Sequence, residues 1–308
     1  MTKTLSLINP LRSDEHPAIV YIAGLVSPSS RRSMRSALGV VTRLLGEVDP
    51  LRVNWSAIRF QHAAALRARL IEGYAPSTCN KLLSALRGVV TAAYHLEQID
   101  PESFRRVLAA LKGVEGEHLP AGRELLPGEL RSLVEVCKAD LTPAGVRDAA
   151  ILAVLYAGLR RAEVSTLELG HWFPGDSRLV VHGKGRKERA AYLPPGGHRA
   201  LEAWVNLRGF TDGALFTRIG KGGVLTLAPI SSQAVYVILQ RRAESAGVEN
   251  ITPHDLRRTF VSNLLEAGAD TVIVSKLVGH ADPKTTARYD RRPEDEKRRV
   301  VTRLDFPF

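Results

Sequence analysis

At 308 residues the chain is long enough for two domains, and its 44% hydrophobic content matches ordinary globular cores, which excludes a disordered or fibrous class. Lysine and arginine outnumber aspartate and glutamate by 43 to 32, a net charge of +11 that favours a polyanionic partner; no apolar run is long enough to span a bilayer, so nucleic acid comes before membrane. Cys79 and Cys137 lack paired histidines and exclude a zinc knuckle, and the first ten residues lack the apolar core and cleavage site of a signal peptide, so a reduced, cytoplasmic setting is expected.

The first third reads as helical. Periodic apolar positions predict a helix over 29–45, with Arg31, Arg32, Arg35 and Arg43 between them. A second amphipathic run covers 54–71, opened by Asn54 or Ser56 and closed by Gly73. A third covers 76–95, with Ser77 or Thr78 near its cap and Lys81 and Arg87 on its polar side. The fourth is 101–111. Residues 114–122, rich in glycine and proline, break every helical pattern and read as a linker that lets two lobes close around a duplex. Both sides of it are basic: 15 basic against 10 acidic residues up to His118, and 28 against 22 beyond.

Past the linker a helix begins within 123–131, and an apolar helix over 148–156 stops at Ala157-Gly158, where glycine suits a left-handed cap. Arg160 and Glu163 follow, three apart at the start of a new turn. Residues 177–182 and 188–193 read as two short strands joined by Gly183-Lys184-Gly185-Arg186, a hairpin turn that lifts Lys184 to its tip. Thr252 and Pro253 mark a helix start, with Asp255 placed to complete a capping box. His254 and Arg257 then share one face and offer an imidazole and a fixed cation, a pair that suits a phosphate oxyanion. Gly279-His280 comes next. Tyr289 lies nine positions after that histidine, on a short helix capped by Asp282-Pro283, and supplies what the cations lack, a nucleophile. The set points to phosphoryl transfer through tyrosine.

Ala-Gly-Leu-Arg160-x-x-Glu163, Gly-Lys184-Gly, His254-x-Leu-Arg257, Gly-His280 and Tyr289, in that order, resemble the signature of the tyrosine recombinases, the phage-integrase and Xer-type family. The similarity covers 126–289 closely and the helical first third more loosely. It implies a mainly α fold with a small antiparallel β-sheet. Residues 1–113 would form a SAM-like, core-binding DNA-binding bundle, with a linker over 114–122. A DNA-breaking-rejoining catalytic domain would follow over 123–308, ending in a tail from 290.

The resemblance makes Tyr289 the nucleophile and has Arg160 and Arg257 grip the scissile phosphate. Lys184 becomes the general acid, His254 and His280 hold the phosphate or assist proton transfer, and Glu163 buttresses an arginine or histidine. Arg161 competes with Arg160, and Arg258 with Arg257; the motif spacing favours Arg160 and Arg257. Lys187 and Arg189 compete with Lys184 and are expected on backbone phosphates, as are Arg31, Arg32, Arg35, Lys81 and Arg87. No metal, cofactor or ATP enters the scheme, because the phosphotyrosyl bond retains the energy of the phosphodiester.

The implied partner is a double-stranded DNA recombination site bound by a homo-tetramer, a pair of dimers, in a nucleoid-associated setting. The tail, charged at first and apolar at Val300, Val301, Leu304, Phe306 and Phe308, is too short to be stable alone and docks either on its own domain or on a neighbouring subunit. Two alternatives share the residues. A type IB topoisomerase or telomere resolvase uses similar chemistry, against which the helical first domain and short tail argue. A non-enzymatic architectural DNA-binding protein does not require so complete a motif set.

Overall fold

A computed structural model describes residues 14–115, 122–183, 188–280, 283–287 and 289. The chain divides after Glu117 into two compact units. In the first, α1 (Pro17–Ala23) and α2 (Pro28–Leu44) precede α3 (Phe60–Gly73), α4 (Pro76–His95) and α5 (Pro101–Ala110). Most of these helices open on proline, which loses no helical bond at the first position. Side chains complete some of the starts: Ser27 Oγ accepts from the Ser30 amide at 3.0 Å, and Asp100 Oδ1 from the Glu102 and Ser103 amides. The buried face of α4, from Cys79 to Ala93, is the centre against which the other helices pack. Asn80 pins the end of the unit by bonding both the amide and the carbonyl of Val114.

Three details differ from the sequence reading. Helix α1 was not anticipated; at seven residues it is too short to display a period and is held by His16, whose Nδ1 accepts from the Ala18 amide. The run over 54–71 is not one helix. A single 3-10 turn, Trp55–Ala57, is followed by extended backbone at Ile58 and Arg59 before α3 begins. This kink lets Trp55 and Ile58 both enter the core, with the indole donating to Pro50 O at 2.8 Å. Finally, α4 is preceded by Ala75 without a side-chain cap, so neither Ser77 nor Thr78 plays that part.

The second unit is also mainly α. Its helices are α6 (Pro127–Ala139), α7 (Pro143–Tyr156), α8 (Arg161–Val164), α9 (Pro195–Arg208), α10 (Ser232–Ser245), α11 (Pro253–Glu266), α12 (Thr271–Val278) and α13 (Pro283–Ala287). Strands β1 (Trp172–Phe173), β2 (Arg178–His182) and β3 (Glu188–Tyr192) form an antiparallel sheet, in which Leu179 faces Ala191 and Val181 faces Arg189. A second sheet, β4 (Thr217–Ile219) with β5 (Leu225–Pro229), was not anticipated: β4 spans three residues, and β5 ends on a proline and buries no alternating face.

The core gathers on α7, whose Ile151, Leu152, Val154 and Leu155 are buried with Trp204 and Phe216. Burying a side chain the size of phenylalanine contributes about 1.5–3 kcal/mol. A buried ion network ties α10 to α7: Asp148 accepts from Arg147 and Arg242, and Arg242 Nη2 also donates to Asp140 at 2.6 Å. A smaller core of Val261, Leu265, Val274 and Val278 lies between α11 and α12 and encloses the ring of Tyr289. Among the described residues no helix is long and apolar enough to cross a membrane.

Candidate active site

Arg160 owes its place to the end of α7. Gly158 turns the chain in the left-handed region, φ +87°, and a Cβ there would lie 3.0 Å from Val278, so only glycine lets the turn press against α12. Leu159 is buried and Arg160 emerges as the residue capping α8. Its amide donates to Glu163 Oε2 at 2.8 Å, its Nη1 to Glu163 Oε1 at 2.7 Å and its Nη2 to Gly279 O at 3.1 Å. The side chain is nevertheless 47% exposed. It is held from behind and open in front.

Glu163, with its side chain 7% exposed, needs more than one partner to stay charged. The second is Arg189, whose Nη1 and Nη2 donate to the two carboxylate oxygens at 3.1 and 2.8 Å. Burial alone would raise the Glu163 carboxyl, but the bonds from Arg189 and Arg160 outweigh it and hold the group below the ordinary carboxylate range. This corrects the expectation that Arg189 contacts backbone phosphate. Its side chain is only 12% exposed, its fork is engaged by Glu163, and its Nε donates to Leu277 O at 3.0 Å.

Helix α11 presents His254 and Arg257. Its start is fixed by Asp255, whose Oδ2 accepts from the Thr252 amide at 2.5 Å and from its hydroxyl at 2.8 Å. Arg257 is 3% exposed and donates from Nη1 to Gly158 O and from Nη2 to Val278 O at 2.6 Å. Both carbonyls belong to helix ends, where the backbone is partially negative. Burial and the charges of Arg160 and Arg189 press the Arg257 guanidinium below its ordinary value, though it keeps its charge. Arg258 instead donates to Gly122 O and lies over the Tyr289 ring at 5.6 Å. His254 remains accessible; desolvation on its inner side and then the Arg257 charge lower its pKa. Arg160, His254, Arg257 and Tyr236 of α10 line a cleft of about 280 Å³.

Gly279, at φ +70°, ends α12 and turns His280 back so that its amide reaches Ser275 O. His280 Nδ1 is bonded to Thr286 Oγ1 at 2.8 Å, which fixes the ring. Burial, then Arg257 and Arg160, push its pKa down to about 4, so the imidazole is neutral at pH 7. Its ring stacks on Tyr289, with centroids 6.3 Å apart and planes inclined by 20°. The Tyr289 amide donates to Thr286 O at 2.9 Å and the residue is 5% exposed.

Arg160, Glu163, His254, Arg257, His280 and Tyr289 thus converge from the α7–α8 turn, α11, the end of α12 and the turn after α13. Lys184 and Lys187 lie outside the described residues, as do Asp282 and the tail from 290. In the first unit Arg31, Arg32 and Arg35 are exposed on α2, Lys81 is exposed on α4 and Arg87 is half-buried there. Sequence reasoning passed over Thr286, which orients His280, and Tyr236, which walls the cleft beneath Arg161 at 5.7 Å. Tyr236 is distant in sequence from the residues it meets, and Thr286, six residues from His280, belongs to no motif that marks its hydroxyl.

The sequence pattern of the phage integrase family matches residues 123–296. A relative from Pseudomonas fluorescens named tyrosine recombinase XerC is 33% identical over 275 residues, 86% of each chain. One of the same name from Azotobacter vinelandii is 33% identical over 255 residues, 76% of each. Among solved structures, the fold is similar to a Tn1549 transposon integrase in complex with transposon right-end DNA: TM-score 0.65, 16% identity, covering 95% of this chain and 98% of that one. XerH site-specific recombinase bound to difH substrate gives a TM-score of 0.63 at 17% identity, covering 98% and 99%. The sequence relationship extends through both units and includes every element that brings the site together, and the chain belongs to the phage integrase family of tyrosine recombinases.

Proposed function

We propose that this enzyme exchanges strands between two DNA sites through a 3′-phosphotyrosyl intermediate, and that Arg160, Arg257, His254, His280 and Tyr289 carry the reaction. The observation behind this reading is that Arg160, Arg257 and His254 line one cleft while His280, stacked on Tyr289, lies within reach of the charges of Arg257, Arg160 and His254. Tyr289 Oη attacks the scissile phosphorus, the bond to the 5′ oxygen breaks, and Lys184 delivers the proton which that oxygen needs. A free tyrosine has a pKa of about 10, so on the order of one in a thousand is ionised at pH 7. Arg160 and Arg257 offset this by stabilising the charge that builds on the non-bridging oxygens, about 3–4 kcal/mol each. His254 and the neutral His280 add hydrogen bonds to the phosphate or assist the tyrosine proton. The test is trapping on a nicked suicide duplex, where a protein–DNA adduct should survive a denaturing gel; no adduct at any enzyme concentration would remove the cleavage step.

Lys184→Ala should cleave the ordinary substrate poorly and recover when the bridging 5′ oxygen is sulfur, which leaves without a proton. Equal impairment on both substrates would move the acid to Lys187 or His280. We further propose that residues 1–113 grip the core of the site through Arg31, Arg32, Arg35, Lys81 and Arg87, that 123–308 cleave it, and that 114–122 join the two. Four subunits act together, the tail from 290 packing on a neighbour. Deleting the residues after Asp290 should then spare binding and first-strand cleavage in part but abolish recombination between two sites. A large fall in melting temperature of the truncated monomer would place the tail on its own domain instead.

A further inference from the structure

Arg160 poses an electrostatic problem that the proposed reaction must solve. Paired with Glu163 alone it would form a neutral unit, and a neutral unit answers the charge of a phosphate poorly. The carboxylate in fact accepts from two guanidiniums, Arg160 on its open side and Arg189 on its buried side. The three groups together carry one net positive charge, and the only one of them facing the cleft is Arg160.

Arg189 also holds Arg160 by a second route. Its Nε donates to Leu277 O, and its aliphatic stem lies against Gly279, where a Cβ would come within 2.9 Å of Arg189 Cδ. The carbonyl of that same Gly279 accepts from Arg160 Nη2. One side chain of β3 therefore fixes both acceptors that orient Arg160, the carboxylate of Glu163 and the turn after α12. The depressed pKa of Glu163 is consistent with a carboxylate held charged by this arrangement.

We propose that Arg189 is a positioning residue for strand cleavage: it neutralises Glu163 and clamps the Leu277–Gly279 turn, so that Arg160 meets the scissile phosphate oriented and with its charge uncompensated. This rests on the role proposed for Arg160, and the test separates the two. Single-turnover adduct formation is measured on a nicked duplex for Arg189→Met, Arg189→Lys, Arg160→Ala and the Arg160→Ala/Arg189→Met double variant. Misplacing a group by about 1 Å can cost on the order of a hundredfold. Arg189→Met should therefore slow cleavage about tenfold to a hundredfold. Arg189→Lys should fall between it and the parent, since an ammonium restores the charge but not the three-bond geometry. In the Arg160→Ala background the Met change should cost less than about twofold, because the group it positions is gone.

The salt dependence of DNA binding should not change, whereas a lost phosphate contact lowers the slope of log K against log salt by about 1. A loss that multiplies fully in the double variant, or a reduced salt slope, overturns the inference. So does recovery on the 5′-sulfur substrate, which would place the effect on Lys184. If Arg189→Met does not fold, Glu163→Gln/Arg189→Met removes both buried charges together and should show the same weak coupling to Arg160→Ala. Wild-type cleavage by Arg160→Ala would bring down the role proposed for Arg160 and this inference with it, whereas a slow Arg160→Ala with full multiplication in the double variant overturns this inference alone.

Discussion

Tyr289→Phe is expected to bind a recombination site within about twofold of the parent and to form no covalent adduct on a nicked suicide duplex. The substitution removes one oxygen. The ring stays stacked on His280 and enclosed by Val261, Leu265, Val274 and Val278, which do not depend on the phenol. Most of the affinity for a duplex comes from many phosphate contacts spread over the protein, so one lost hydroxyl changes it little. Chemistry is another matter: no other atom of this side chain can form the phosphotyrosyl bond, and the rate should fall to background. An adduct that persists in the variant would move the nucleophile elsewhere, and Tyr236, which lines the cleft with Arg160, His254 and Arg257, would be the first to replace. A loss of binding in parallel with cleavage would instead make Tyr289 a support of the fold.

Much of this site is legible in the amino-acid sequence because its residues sit at helix starts and stops, which have local signatures. Thr252, Pro253 and Asp255 announce the start of α11, and with it the common face of His254 and Arg257. Gly158 announces the stop that exposes Arg160. The place of Arg189 has a weaker signal. Leu179, Val181 and Ala191 all point inward, and a strand alternates with period two, so Arg189 must share the face of Ala191 and turn toward the domain. The basic run Lys184-Gly-Arg-Lys-Glu-Arg189 masks it, since every cation in such a run looks like a phosphate contact. Long-range pairing has no such local signature. The reach of Arg257 to Gly158 O and Val278 O, and the break at Ile58 and Arg59 that seats Trp55, depend on surfaces meeting in three dimensions.

Arg160→Ala and Arg257→Ala should each slow cleavage by about two to three orders of magnitude, the usual effect of removing one donor to a developing oxyanion. Their effects on folding should differ, and that difference follows from burial. Arg160 is half open to solvent, and without it Glu163 keeps both bonds from Arg189, so the melting temperature should hardly move. Arg257 is enclosed, and removing it strips the carbonyls of Gly158 and Val278 of their partners at two helix ends. Leaving buried acceptors unsatisfied costs about 1–3 kcal/mol each, partly offset because a desolvated charge disappears with them. Arg257→Lys tests the same point from the other side. An ammonium can meet one carbonyl and keeps the charge, but it cannot span both carbonyls and still present a fork to phosphate, so it should regain stability before it regains rate. Cleavage kinetics, DNA affinity and melting temperature, measured on all three variants, separate the contributions. If Arg160→Ala loses affinity as steeply as cleavage, Arg160 positions the DNA and does not act in the transition state. If Arg257→Ala melts like the parent, the two carbonyls find other donors and the part of Arg257 in joining α7, α11 and α12 must be given up.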